Sequence, residues 1–109
     1  MLIPNQQKQL FSDLKQSLSN HYGERLDKII LFGSYARGDY HEHSDIDFLV
    51  VFKDEKLNEF NEILKMAELK TPLIINYGIS ISSIPMHQDR FENEDSPLLL
   101  NVRKEGVVI

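Results

Sequence analysis

The sequence predicts an α+β fold, a small mixed β-sheet with helices packed on it. Short apolar runs, which are typical of buried strands, alternate with longer segments whose apolar residues recur at helical spacing. At 109 residues and a 41% apolar fraction, the chain has the size and composition of one globular domain over residues 1–109. The predicted order of elements is helix, strand, strand, helix, strand, helix.

The first and last helices are predicted from apolar spacing and from residues that begin or end helices. The first starts near Asn5, a common N-cap residue type, and ends near His21, just before Gly23. Its apolar stripe consists of Leu10, Leu14 and Leu18. The last starts at Ser96-Pro97, where a capping serine precedes a proline at the first helical position, and Gly106 closes it.

The middle helix is predicted to begin after Asp54 and to end at Thr71-Pro72. Proline disfavours helical geometry in the residue before it, so the helix should stop there. The residues at helical spacing, which define the predicted apolar face, are Leu57, Phe60, Ile63, Leu64 and Ala67.

The predicted strands lie between these helices. Leu26–Phe32 and Asp45–Phe52 are rich in β-branched and aromatic residues, which is typical of strands buried on both faces. Leu73–Ile84 alternates apolar and polar residues, which predicts a long strand with one covered face and a bulge or bend at Gly78. Val107–Ile109 adds a short last strand. Two polar segments remain: residues 34–44, with a short helix starting at an Ser34 N-cap, and residues 87–95, a loop or short helix.

The charge and composition of the chain exclude several classes of site and partner. The net charge of −5 argues against a broad basic face for nucleic acid, so direct nucleic-acid binding is not expected. The chain has no cysteine, which excludes disulfides, thiolate zinc sites and cysteine nucleophiles. The first residues lack the pattern of a signal peptide, and no apolar run reaches the length of a membrane-spanning helix. We therefore expect a soluble, cytoplasmic protein.

Two acids at the start of the second strand indicate a metal site. Asp45 and Asp47 are two residues apart, so on a strand both side chains leave the same face, with Cα atoms roughly 6.5–7 Å apart. At that spacing both carboxylates can converge on Mg²⁺ or Mn²⁺, which also bind phosphate oxygens. An isolated Asp-x-Asp pair is more often a solvated strand entrance, so the prediction depends on what precedes it.

Gly33 and Ser34, at the end of the first strand, supply the complementary part of a nucleotide site. Glycine lets the backbone approach a ligand closely, and the amides and hydroxyl at Ser34 favour a phosphate. Arg37 either contacts the phosphate or the acceptor, or is a surface partner of Asp39 or Glu42. Ser44 orients the loop ahead of Asp45. His41 and His43 are interpreted as exposed turn residues.

The segments Phe32–Gly38 (FGSYARG) and Ser44–Val50 (SDIDFLV) together resemble the Gly-Ser…Asp-x-Asp signature of the nucleotidyltransferase (polymerase β-like) superfamily. Ten residues separate Ser34 from Asp45. The fuller string looks like the minimal nucleotidyltransferases, small proteins often encoded beside a HEPN-domain protein, to which they can act as antitoxins. The end of the chain, Asn101–Val107, is also similar to members of that group, less specifically.

This resemblance implies a polymerase β palm-like fold and transfer of a nucleoside monophosphate to an acceptor with loss of pyrophosphate. It implies that Asp45 and Asp47 bind Mg²⁺ and are catalytic, and that Gly33 and Ser34 bind the phosphates of ATP or another nucleoside triphosphate. We expect Arg37 and Ser44, in the intervening loop, to complete the phosphate-binding set. The expected acceptor is a hydroxyl, typically of tyrosine, on a HEPN-domain toxin partner.

The sequence departs from the superfamily pattern at one point. A third carboxylate is usual on a later strand, but Leu73–Ile84 contains no acid; Ser80 or Ser82 lies where that acid is expected. Asp89 and Asp95 are the substitutes nearest along the chain. Two alternatives therefore stay open: a catalytically weakened module that neutralises its partner by docking, and a catalytic subunit that acts on a small-molecule acceptor.

Overall fold

The computed structural model describes all 109 residues and contains one four-stranded sheet. The strands are β1 (Leu26–Phe32), β2 (Ile46–Phe52), β3 (Ile81–His87) and β4 (Val107–Val108). The α-helices are α1 (Pro4–Tyr22), α2 (Ser34–Arg37), α3 (Glu59–Tyr77), α4 (Gln88–Asn93) and α5 (Pro97–Glu105). The strand order is β3-β2-β1-β4, with β2 and β3 parallel and the other pairs antiparallel. The predicted α+β class with a mixed sheet is confirmed.

Strand β2 lies in the centre of the sheet and is covered on both faces. Its even-numbered residues, among them Phe48 and Val50, join a core with α1 and α3. Leu49 and Val51 point the other way and join a smaller core with α4 and α5. Because both faces are buried, the strand needs apolar residues at nearly every position. Its one half-exposed position is Asp47.

The predictions for α1, β1 and α5 hold, apart from one cap. The bounds of β1 are those predicted, and the hydroxyl of Ser96 accepts a hydrogen bond from the amide of Leu99 at 3.3 Å. The N-cap of α1 is Ile3 rather than Asn5, because Pro4 occupies the first helical position and Gln6 accepts from the Ile3 amide at 3.0 Å.

The predicted end of the middle helix is wrong. Helix α3 passes through Pro72 and ends at Gly78, whose left-handed φ of 64° closes the helix. Leu73 is buried and continues the packed face begun by Met66, and this burial outweighs the cost of a proline inside the helix. The third strand is consequently Ile81–His87, not Leu73–Ile84, and Gly78 is a helix cap instead of a bulge.

The predicted orientation of this helix is also wrong. Asn58 caps α3, and the face turned inward carries Glu62 and Met66, while Phe60 and Leu64 remain 68% and 57% exposed. Buried Glu62 lies 3.4 Å from the guanidinium of Arg25, which explains how a carboxylate is accommodated there. We call the exposed apolar residues along α3 the α3 stripe; they are Phe60, Ile63, Leu64, Ala67 and Ile75.

None of the helices combines the length and the apolar character that crossing a membrane would require.

Candidate functional site

The predicted site residues come together at one end of the sheet. The register pairs Phe32, the last residue of β1, with Asp47, and Asp47 in turn with Ser82 of β3. The turn that follows β1 therefore lies beside the start of both β2 and β3. This geometry brings the two halves of the sequence pattern next to each other, although ten residues separate Ser34 from Asp45 along the chain.

Gly33 is in direct contact with the carboxylate of Asp47. A Cβ atom on residue 33 would overlap Asp47 Oδ2, and Gly33 also has a left-handed φ of 75°. Both conditions exclude any other residue type without rearrangement. Sequence reasoning assigned Gly33 to the close approach of a ligand; the structure shows that the group approaching it is a side chain of the site itself.

Asp47 is half-buried and lies near a second negative charge. Burial, with the neighbouring charge of Asp45 as the second cause, raises the pKa of Asp47, and the positive charge of Arg37 partly opposes this effect. Asp45 immediately precedes β2 and is exposed. The isolated pair of carboxylates is thus electrostatically unfavourable, and a bound cation would relieve both the burial cost and the repulsion.

The donor set suits a hard divalent cation that brings further ligands with it. No cluster of three or more acidic, histidine or cysteine side chains is present that could hold a metal alone. Asp45 and Asp47 offer only carboxylate oxygens, which Mg²⁺ prefers, and Mg²⁺ usually keeps several water or phosphate ligands. These residues therefore fit a magnesium ion carried by a nucleotide better than a permanent, fully protein-ligated metal.

The backbone after Gly33 forms a single helical turn. Helix α2 has four residues, with Gly33 as its N-cap in place of the predicted Ser34, and Gly38 ends it with a φ of 88°. A helix this short has little macrodipole, so any phosphate binding would depend on individual amides and on the Ser34 hydroxyl. Ser44 closes the next turn, since its hydroxyl accepts from the amide of His41 at 2.9 Å.

Arg37 is held by two carboxylates. Its Nε donates to Asp39 at 3.1 Å, as one of the sequence alternatives proposed, and its Nη1 donates to Glu105 Oε1 at 3.0 Å. Glu105 is the last residue of α5, 68 positions further along the chain. Sequence reasoning missed Glu105. The only signal was the weak resemblance of the Asn101–Val107 segment to the same family.

The position expected for a third carboxylate is occupied by Ser82. This serine is in register with Asp47 on the neighbouring parallel strand, so the two side chains leave the same face of the sheet. Neither substitute acid approaches it. Asp89 lies in α4, beyond the opposite end of β3, and Asp95 is bound to Arg103 at 2.7 Å.

The tyrosines considered as base-stacking residues are engaged elsewhere. Tyr35 and Tyr40 stack on each other with centroids 4.3 Å apart, and Gln7 of α1 donates to the Tyr40 hydroxyl at 3.0 Å. Tyr77 is in α3, not in the sheet as predicted, and donates to Asp13 at 2.6 Å. These contacts hold α1 against the site loop and against α3. His41 and His43 are exposed turn residues, in agreement with the prediction.

The structure contains one cavity, and it lies away from this site. Its volume is about 320 Å³, and it is bounded by α1, the first half of β1 and the end of the chain, with Lys15, Asp27 and Ile109 in its wall. The candidate site itself lies at an open end of the sheet, outside this cavity.

Comparison with known proteins gives concordant matches. The family model described as nucleotidyltransferase domain matches residues 11–96. A candidate protein adenylyltransferase from Methanocaldococcus jannaschii is 39% identical over 94 residues, which is 85% of this chain and 87% of that protein. Another protein of the same description from that organism is 40% identical over 77 residues, 70% of this chain and 75% of that protein.

Two solved structures are similar in fold. A toxin-antitoxin crystallised with AMP-PNP has a TM-score of 0.63 and 24% identity, covering 89% of this chain and 69% of that chain. A candidate nucleotidyltransferase from Sulfolobus solfataricus has a TM-score of 0.62 and 24% identity, covering 95% of this chain and 82% of that chain. At these identities the likeness concerns the fold alone.

Proposed function

Because the chain belongs to the nucleotidyltransferase domain family, we propose that it transfers AMP from ATP to a hydroxyl group on a partner protein. The observation that carries this proposal is the half-buried Asp47 carboxylate, seated on Gly33 beside the charge of Asp45. Such a pair is costly unless a cation joins it, and a nucleotide with its Mg²⁺ would supply that cation.

In the proposed reaction the acceptor oxygen attacks the α-phosphorus of ATP. A new phosphorus–oxygen ester bond forms, the bond to pyrophosphate breaks, and the acceptor proton is released. Mg²⁺, when bound, would neutralise charge on the phosphates. Asp45 and Asp47 would orient the triphosphate through that ion, while Gly33, Ser34, Arg37 and Ser44 would bind phosphate oxygens. Positioning of this kind supplies most of the rate in phosphoryl and nucleotidyl transfer.

The proposed partner is a toxin of the HEPN-domain class, with this chain as its cytoplasmic antitoxin. Similarity in fold to a toxin-antitoxin supports a protein partner. The α3 stripe supports it independently, because exposed apolar patches of this kind mark protein interaction sites. With a net charge of −5, this chain favours a partner of opposite charge over a second copy of itself.

The test is transfer of label from α-³²P-ATP to a co-purified partner. We expect Mg²⁺-dependent labelling of the partner that falls at least about 100-fold in Asp45→Asn and Asp47→Asn. The matched control is Glu42→Gln, which removes an exposed charge from the same loop; Glu42 contacts only His43, which has no role in the proposed site. Equal labelling by the wild type and the Asp45→Asn, Asp47→Asn double variant would refute the proposed activity.

A second candidate is neutralisation by docking, with turnover slow or absent. Ser82 favours it, since the position in register with Asp47 lacks the acid that could take the acceptor proton. Protection of cells from the toxin separates the two candidates. If the double aspartate variant protects as well as the wild type, docking accounts for antitoxin function; if protection is lost while the complex still forms, transfer accounts for it.

A further inference from the structure

Arg37 keeps part of its hydrogen-bonding capacity free although two carboxylates hold it. A guanidinium has five N–H donors. Nε is used by Asp39 and one donor of Nη1 by Glu105, whereas Nη2 donates to no protein atom. The positive charge of Arg37 also acts on Asp47, since it partly opposes the rise in the pKa of that carboxyl group. A planar guanidinium held at Nε and at Nη1 presents the unused N–H donors of Nη2 in a defined direction, which suits a phosphate oxygen.

Glu105 is the better anchored of the two carboxylates. Its side chain is 25% exposed, compared with 63% for Asp39. It ends α5 immediately before Gly106, whose amide donates to Val102 at 2.7 Å and whose Cα lies against Ile30 so closely that a Cβ atom would clash. Val107 then pairs with Leu31 of β1. Glu105 is thus fixed beside the end of β1, the strand that Gly33 follows.

We propose that Glu105 is a positioning residue, which holds the Arg37 guanidinium so that Nη2 faces the phosphates of the bound nucleotide. This inference rests on the proposed function and adds a residue to it. Asp39 follows Arg37 by two residues, just after Gly38 ends α2, so its contact with Arg37 is local and does not tie the turn to the sheet. Glu105 belongs to a different element, so its contact with Arg37 does.

A double-mutant cycle tests this role. ATP affinity in the presence of Mg²⁺ is measured by calorimetry for the wild type, Arg37→Ala, Glu105→Ala and the double variant. We expect Glu105→Ala to weaken binding about three- to tenfold and Arg37→Ala to weaken it more. In the Arg37→Ala background, Glu105→Ala should change affinity less than about twofold, because the residue through which it acts is gone.

The controls separate positioning from charge and from stability. Glu92→Ala removes an equal charge from an exposed site on α4 and should leave ATP affinity unchanged. Glu105→Gln keeps an acceptor oxygen and should recover part of the affinity. It also replaces Glu105→Ala in the cycle if thermal unfolding shows that the alanine variant does not fold.

Two results would contradict the inference. Additive losses in the double variant would mean that Glu105 acts independently of Arg37, and unchanged affinity in Glu105→Ala would mean that it does not act at all. A wild-type protein that binds no ATP would refute the proposed function together with this inference. Wild-type binding without coupling between the two residues would refute only the inference.

Discussion

Asp47 combines three constraints in one side chain: it is half-buried, it lies beside the charge of Asp45, and its carboxylate contacts Gly33. None of these stabilises the fold in the absence of a cation. All of them keep the carboxylate in one place, which is what binding a metal-nucleotide complex requires. At the scale of the residue, stability and function are therefore in competition.

This competition predicts a stabilising substitution. Because the pKa of Asp47 is raised in the folded state, the folded protein loses stability when Asp47 ionises. Below the ordinary aspartate pKa of about 3.9 this loss is absent, and it develops as the pH rises through the raised pKa. At pH 7 with EDTA, Asp47→Asn should therefore unfold about 3 °C higher than the wild type. Differential scanning fluorimetry checks this.

Added Mg²⁺ with ATP should reverse the order. The wild type should gain stability through binding, and Asp47→Asn should gain little. Equal gains in both proteins would show that Asp47 takes no part in holding the ion.

Ser82 leads to a prediction of the opposite kind, a gain of activity. Its Cα lies about 4.8 Å from that of Asp47 on the adjacent strand, so Ser82→Asp would add a third carboxylate on the same face. If slow proton removal or weak metal binding limits turnover, labelling of the partner should rise about tenfold.

The matched control is Ser82→Asn, which has the shape of aspartate without its charge and should leave the rate unchanged. A rate for Ser82→Asp at or below that of Ser82→Asn would show that the missing acid is not what limits the reaction.

At the scale of the element, sequence and structure agree where one local signal decides. Strand β1 contains the continuous apolar run Ile29–Phe32, which stops at Gly33, so its bounds could be predicted; Ser96-Pro97 likewise carries its own cap. The prediction and the structure disagree in α3, where the local signals conflict with one another. Pro72 argues for an end, and Ile75, Tyr77, Ile79 and Ile81 happen to alternate across the true helix end at Gly78.

The inward face of α3 could not be predicted because a tertiary contact decides it. Glu62 can be buried because the guanidinium of Arg25, which lies outside α3, is 3.4 Å away. The helical spacing of apolar residues cannot reveal a contact with a residue of another element. At the site, the same distinction holds. The Gly-Ser and Asp-x-Asp halves are local and were found, whereas the bond between Arg37 and Glu105 joins residues 68 positions apart and was not.

Pro72 provides a prediction for this helix. It is exposed and lies inside α3, where it removes one backbone hydrogen bond. Pro72→Ala should raise the free energy of unfolding by about 1–2 kcal/mol, somewhat less than the full helical penalty, because alanine also gives the unfolded chain more freedom. Urea denaturation measures this. A destabilised Pro72→Ala would mean that the proline ring makes a packing contact that matters more than helix propensity.

At the scale of the whole molecule, the site and the α3 stripe belong to different layers. Asp47 shares its face of the sheet with the α4–α5 core, whereas α3 packs on the other face and carries its stripe on the outside. A partner seated on the stripe therefore lies across the sheet from Asp47. Under the proposed function, docking of the partner and its modification should therefore be separable by mutation.

This separation is testable with charges placed on the stripe. Phe60→Glu with Leu64→Glu should abolish co-purification of the partner, while ATP affinity stays within about twofold of the wild type. Gln16→Glu with Asn20→Glu, which adds the same two charges at the same spacing on the exposed face of α1, should leave the complex intact. Retention of the complex by the stripe variant would place the partner elsewhere.

The two edges of the sheet differ in how they are protected. On one side, β3 carries Pro85, which has no N–H to offer a further strand. On the other side, β4 pairs only with Ile30 and Leu31, so the first half of β1 borders the cavity without a neighbouring strand. Charged side chains on an open edge disfavour pairing with a second chain, and Asp27 and Lys28 place two of them on the stretch of β1 that β4 leaves uncovered.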